Sequence, residues 1–496
     1  MSERTDFGGG ESGPAPSVAR NAFWRFLEIS GTELISFGFM VLFARILAPD
    51  DFGVVAISTG VIVIAQSVIY HGLAEQIIQV DILDQSTFSN ALLLNLGLGL
   101  MLTLLVLGLA WPLAGATGKP ELGPVMASLS PVLLFMSIAG IYQARLRREM
   151  RFSGLTCRAV VSIIAGGSVG LVLAISGFGV WSLVGMQLTH AISGCAILVL
   201  FSKWSLQPAG SWDRVRDMGL KAIHIASTCL IDTICRSITP ILLGMFLSST
   251  VVGLYFIANR LMSSLSMLTF MSVNELCLPV LSRVRRDRAR FDEAIYTTIR
   301  ITTLFCLPAF VGLALIADPI VMLVFGNHWK DAVMPLRYLG VAGIFPAWIA
   351  ISAQILIAAG RPEQALRLNL TLAAAALLLI PAGAMFGLNM AVGGIILANV
   401  LVLPRAFGYL KSDAQLDMRR LVADQLPMMV AAGAMVVAVL SVGTGIAGHN
   451  SWLRLLVMLL AGGCSYTLVV FILAPGFAMQ IVRQLGAAIM PTRFAI

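Results

Sequence analysis

Apolar stretches of about 20 residues recur along the chain, separated by short polar connectors. Each is long enough to cross a hydrocarbon layer of about 30 Å as a helix that satisfies its own backbone hydrogen bonds. About fourteen such spans are predicted, at 20–47, 52–76, 88–114, 125–144, 159–175, 180–202, 219–247, 252–281, 295–317, 336–359, 368–386, 391–410, 427–447 and 452–473. The fold class is therefore an all-α integral membrane protein.

A weak internal repeat organises these spans. At an offset near 200, the run Leu47 to Gly53 before span 2 matches Leu247 to Gly253 before span 8, and Gly179 to Gly185 parallels Gly387 to Gly393. Six spans lie between copies, so both copies share one orientation, which implies two pseudo-symmetric six-helix lobes about an axis along the membrane normal. The expected organisation is a disordered cytoplasmic tail at 1–17, an N-terminal lobe at 18–203, a C-terminal lobe at 204–412, and two further helices with a cytoplasmic end at 413–496. Two such lobes suit alternating access around a midplane site.

Composition agrees with lipid as the main solvent. Of 496 residues, 58% are hydrophobic and 12% charged, whereas soluble domains carry roughly 25% charged residues. The formal net charge of +8 is mainly a topology signal. With the N-terminus inside, clusters such as Arg145, Arg147, Arg148, Arg151 and Arg158 fall in inner connectors, while Arg45, Lys119, Lys330, Arg337 and Arg454 fall on the outer side. Both termini are expected in the cytoplasm, at the inner membrane. Short Arg connectors without interleaved aromatics exclude nucleic acid as a partner.

Polar residues inside the spans stand out, because a charge at the bilayer centre costs about 2.5 to 3.5 kcal/mol on insertion scales. Span 7 carries Lys221, His224, Thr228, Asp232 and Arg236 along one helical face, and span 1 carries Arg25, Glu28, Thr32 and Ser36 with Glu33 on the flank. Under the 200-residue offset Glu28, Thr32 and Ser36 fall on Thr228, Asp232 and Arg236, and Glu75 falls on Glu275. A hydrated cavity follows, with Arg236, Arg260 and Lys221 attracting anionic cargo and Asn259, Thr32 and Thr228 offering hydrogen bonds to it. Asp232, Glu28, Glu33, Glu75 and Glu275 are candidates for coupling to H+ or Na+. The competing reading makes Asp232 and Arg236 an intrahelical pair and lets Glu28, Glu75 and Glu275 snorkel to the interface.

No P-loop, GxSxG motif, nucleotide-binding loop or metal-ligand cluster is found, so no catalytic residue, metal or other cofactor is expected. The seven cysteines show no ligand spacing, six lying in spans and Cys157 in a basic connector. The longest external connection, 318–335, is too short for a reactive external domain.

The segment Ala44-Arg-Ile-Leu-Ala-Pro-Asp-Asp-Phe-Gly53, followed by Gly72-Leu-Ala-Glu-Gln-Ile-Ile-Gln79, resembles the opening signature of the bacterial polysaccharide transporter family, the Wzx-type oligosaccharide flippases. Phe325-Gly-Asn-His-Trp329 and Gly360-Arg-Pro362 extend the likeness over nearly the whole chain. The resemblance places the chain in the multidrug/oligosaccharidyl-lipid/polysaccharide exporter superfamily, near its exopolysaccharide branch. It implies a fourteen-helix, monomeric, non-enzymatic flippase of undecaprenyl-diphosphate-linked oligosaccharide that works in membrane lipid beside a polymerase and export complex. A cation-coupled multidrug exporter and a lipid II flippase are the alternatives within the superfamily.

Overall fold

The computed structural model describes residues 16–74, 77, 85–149, 151–202, 219, 230, 233–234, 237–412, 415–445 and 451–489, with backbone alone for 16–30, 71, 202, 271–273, 275–276, 279, 482 and 484–489. Among the described residues every regular element is helical. The first helices are α1 (Pro16–Ile46), α2 (Pro49–His71), α3 (Gln85–Thr117), α4 (Leu122–Leu129), α5 (Val132–Arg148), α6 (Phe152–Ile175) and α7 (Val180–Ser202). After α8 (Ser237–Phe246) come α9 (Ser249–Ser266), a π turn at Met267–Met271, α10 (Ser272–Val284), α11 (Arg288–Leu315) and α12 (Ala317–Val324). A 3-10 turn at Asn327–Ala332 leads to α13 (Val333–Ala342), α14 (Ile344–Ala358), α15 (Pro362–Ala384), α16 (Leu388–Ser412), α17 (Met418–Gly445), α18 (Ser451–Leu473) and α19 (Pro475–Ile489).

Eleven of the described helices are long and apolar enough to cross a membrane, or 12 if the bent pair 327–342 and 344–358, kinked by 40°, counts as one span. The charge-bearing helix α1 is not among them. Most of predicted span 7 lies outside the described residues, and its remainder is the short helix α8.

Two compact units emerge. The first gathers Met1–Ile46, Val61–Gly115 and Pro120–Thr233; the second gathers Leu47–Gly60, Ala116–Lys119 and Ile234–Ile496. In the first, α6 presents small residues to its neighbours: Phe39 and Phe43 of α1 sit over Gly167 and Gly170, and α7 meets α6 at Gly166. Close backbone approach at small residues is how helices gain dispersion contacts in lipid, where hydrophobic exclusion drives little. In the second unit, α11, α14, α16 and α17 share a core that includes Phe310, Trp348, Val402 and Met428. Trp348 Nε1 donates to Thr303 Oγ1 at 3.0 Å, and the Thr303 hydroxyl itself donates to Ile299 O. Trp348→Phe deletes the first bond and leaves the second, so a loss of about 1 to 2 kcal/mol is expected, read as a lowered thermal midpoint in detergent.

Two sequence expectations are corrected. Arg158 and Cys157 do not lie in a connector, because α6 begins at Phe152. The Arg158 guanidinium lies against Gly194 and its Nη1 donates to Gln143 Oε1 at 3.3 Å, which is how the helix tolerates the charge. The stretch 318–335 is not an open loop: Gly326, at φ 99°, turns the chain so that Phe325 and Trp329 bury completely. Beyond span 14 the chain forms a further helix, α19, whose Phe477, Ala478 and Ile481 are buried.

Candidate functional site

The signature around Pro49 has a physical role at every position. Pro49 opens α2, where a missing N–H leaves nothing unsatisfied. The Asp51 carboxylate accepts from the Ala48 N–H at 3.1 Å, as in a capping box, and both Asp50 and Asp51 sit in the first turn, where the helix dipole favours anions. Phe52 meets Trp329 edge-on, with ring centroids 5.3 Å apart, and lies 6.1 Å from Phe256. Two segments singled out in the sequence, Ala44 to Gly53 and Phe325 to Trp329, thus lock together through one aromatic contact.

Gly53 and Gly253 carry the tightest approach. The Gly53 Cα faces the Ser249 carbonyl, and the Gly253 Cα faces the Pro49 carbonyl. Thr250 Oγ1 donates to Asp50 Oδ1 at 3.3 Å. Positions 49 and 249, 50 and 250, and 53 and 253 are equivalent under a shift of 200. The crossing of α2 and α9 is therefore two-fold residue by residue.

Beside it, a polar hollow of about 430 Å³ is lined by Asp50, Thr117 to Lys119 and Met245 to Ser249. The Lys119 ammonium donates to Gly244 O and to Thr117 O at 3.3 Å. Burial lowers the Lys119 pKa from its ordinary 10.5, and the Asp50 carboxylate pulls the other way.

The structure reaches only part of the predicted cavity set. Lys221, Thr228, Asp232, Arg236 and Glu75 lie outside the described residues. Glu28 on α1 and Glu275 on α10 are described in backbone only. Thr32 and Glu33 lie half-buried on α1, each with an interaction partner, while Asn259 and Arg260 lie half-buried on α9, Arg260 also with a partner. Seven residues beyond Arg260 the helix widens into the π turn at Met267–Met271, a distortion that often marks functional sites. Among the described residues no group of three or more His, Cys, Asp or Glu could hold a metal ion.

Sequence reasoning assigned no role to Gly53, Gly253 or Lys119. The signal was present for the glycines, which were the shared positions of the repeat. For Lys119 there was none beyond its place on the Arg-poor side.

A profile described as polysaccharide biosynthesis protein matches residues 42–334, more than half of the chain. The chain belongs to that family. The match runs from just before the Pro49 turn, through the crossing, to just past Trp329. The family member is 25% identical over 318 residues to the succinoglycan biosynthesis transport protein ExoT of Rhizobium meliloti (strain 1021), covering 64% of each chain. It is 21% identical over 348 residues to the lipopolysaccharide biosynthesis protein WzxC of Escherichia coli (strain K12), covering 66% of this chain and 68% of that one. The matched stretches thus span about two thirds of these relatives' length. Among solved structures, the lipid II flippase MurJ in an inward closed conformation superposes with a TM-score of 0.74 at 13% identity, over 94% of this chain and 100% of that one. An inward-facing MATE-family multidrug transporter gives a TM-score of 0.62 at 16% identity, over 82% and 99%. These likenesses establish a shared fold.

Proposed function

We propose that this protein is a flippase that carries undecaprenyl-diphosphate-linked oligosaccharide repeat units from the cytoplasmic to the periplasmic leaflet for exopolysaccharide synthesis, by alternating access. The observation that carries the mechanism is the two-fold crossing of α2 and α9 in a member of the polysaccharide biosynthesis family. A contact built from equivalent halves of a repeat can open and reclose as the halves rock, with no hinge inside either helix. The names of the succinoglycan and lipopolysaccharide relatives support a saccharide cargo. With both termini in the cytoplasm of an inner-membrane protein, the crossing closes the periplasmic end.

Such cargo needs a protein path, because each unpaired hydroxyl moved into hydrocarbon costs a few kcal/mol and a diphosphate far more. Arg236, Arg260 and Lys221 would hold the diphosphate, with Asn259, Thr32 and Thr228 on the sugars. Glu28, Glu33, Glu75, Asp232 and Glu275 are the carboxylates through which H+ or Na+ would drive the return. The protein works as a monomer in membrane lipid and hands repeat units to a polymerase and export complex.

Deleting the gene is expected to leave lipid-linked repeat units on the inner leaflet and to stop polymer secretion. Unchanged secretion would point instead to drug export or to lipid II as cargo. In reconstituted vesicles, Arg260→Ala is expected to slow flipping about tenfold, the value of one charge-assisted hydrogen bond to phosphate. A wild-type rate for that variant would remove Arg260 from the site.

A further inference from the structure

An apolar cavity of about 460 Å³ lies among α11, α17, α18 and α19. Along α11 its wall runs from Leu304 through Pro308 and Gly312 to Ile316, about 18 Å of helix at 1.5 Å per residue. That length is close to half of a hydrocarbon layer about 30 Å thick, so the slot is about one leaflet deep. Two glycines hold it open: a Cβ at Gly312 or at Gly463 would meet no atom within 4 Å. Tyr466 lines the slot, but its hydroxyl is taken up by Leu304 O at 3.1 Å, so the wall offers hydrocarbon.

One turn before Leu304, the row of slot-lining positions on α11 continues to Arg300. Its guanidinium lies 4.0 Å over the ring of Phe477 on α19, and its buried Nε has no hydrogen-bond partner. Neighbouring charges are matched, Arg288 with Asp292 and Arg420 with Glu293, but among the described residues Arg300 forms no ion pair. A half-buried cation with no counter-ion among the described residues, one turn before a slot one leaflet deep, has the chemistry of an anionic lipid site.

We propose that the slot binds one acyl chain of an anionic glycerophospholipid, with Arg300 holding its phosphate and α19 closing over the chain. The length of the slot favours an acyl chain, which ends within its own leaflet. A polyprenyl chain would leave most of its length outside. A zwitterionic headgroup would bring no net charge to balance Arg300.

The test is native mass spectrometry of the full-length protein in detergent, titrated in separate arms with phosphatidylglycerol, phosphatidylcholine and undecaprenyl phosphate. Wild-type protein is expected to retain one tightly held phosphatidylglycerol that phosphatidylcholine does not replace. Arg300→Gln should weaken that binding about tenfold, as one charge-assisted contact is worth. Gly463→Phe, which puts a ring into the slot and leaves Arg300 in place, should weaken it as much; Gly312→Leu serves the same purpose if that variant folds poorly. Wild-type affinity in both the charge and the filling variant overturns the proposal. So does equal affinity for phosphatidylcholine, or displacement of phosphatidylglycerol by undecaprenyl phosphate at lower concentration. The readout is binding, so it stands or falls separately from the transport reading above.

Discussion

Gly253→Ala is expected to lower the thermal midpoint of the purified protein and to abolish polymer export, and Gly53→Ala is expected to do the same. In an ordinary helix the opposite holds, since alanine is favoured over glycine by about 1 kcal/mol. At these two positions the added methyl would fall on backbone, on the Pro49 carbonyl for residue 253 and on the Ser249 carbonyl for residue 53. A side chain in the way can change rotamer, whereas a carbonyl at a helix start moves only with its helix. Overpacking of this kind costs about 1 to 3 kcal/mol or more, which outweighs the gain in helix propensity. Separation of α2 from α9 would also carry Phe52 away from the buried ring of Trp329. Gly433→Ala on α17 is the control, because a Cβ there meets nothing within 4 Å. If Gly253→Ala matches Gly433→Ala in both midpoint and export, the crossing is not a tight contact in the working protein.

The same residues show how much was legible in the sequence. Hydropathy alone located most spans, because in lipid only a continuous helix can satisfy its backbone. Pro49 and Asp51 announce the start of α2, since their effects act within one turn. The repeat pointed at Gly53 and Gly253 without saying that they face each other's chains, which depends on how two helices cross. The folding of 318–335 was hidden for a related reason: Trp329 is buried by Phe52 and its surroundings, far away in sequence. Arg158 was misplaced because it ends an arginine cluster that a charge count reads as one connector, while here its guanidinium lies against Gly194 and reaches Gln143. Lys119 was read the same way, as a marker of sidedness, although it lines a specific hollow. Of the proposed cavity, span 1 and span 8 are visible through Thr32, Glu33, Asn259 and Arg260, while the span 7 residues that define the stripe lie outside the described residues.

A disulfide between cysteines at positions 50 and 250 is expected to arrest transport completely and reversibly. Thr250 Oγ1 meets Asp50 Oδ1 at 3.3 Å, so Asp50→Cys with Thr250→Cys places two thiols at facing positions of α2 and α9, where oxidation can tie the helices together. On the proposed function, alternating access requires the periplasmic end to open once per cycle, and a covalent tie across the crossing would forbid that step while leaving cargo binding from the cytoplasm intact. Reductant should restore the rate seen in the two single variants. Those variants are also the control for charge, because Asp50→Cys removes the carboxylate that holds the Lys119 pKa up against burial. Flipping of lipid-linked repeat units in reconstituted vesicles, before and after reduction, gives the readout. Flipping at the unlinked rate by fully oxidised protein would mean that cargo passes along a groove that never closes here, and the two-fold crossing would then be a structural joint in place of a gate.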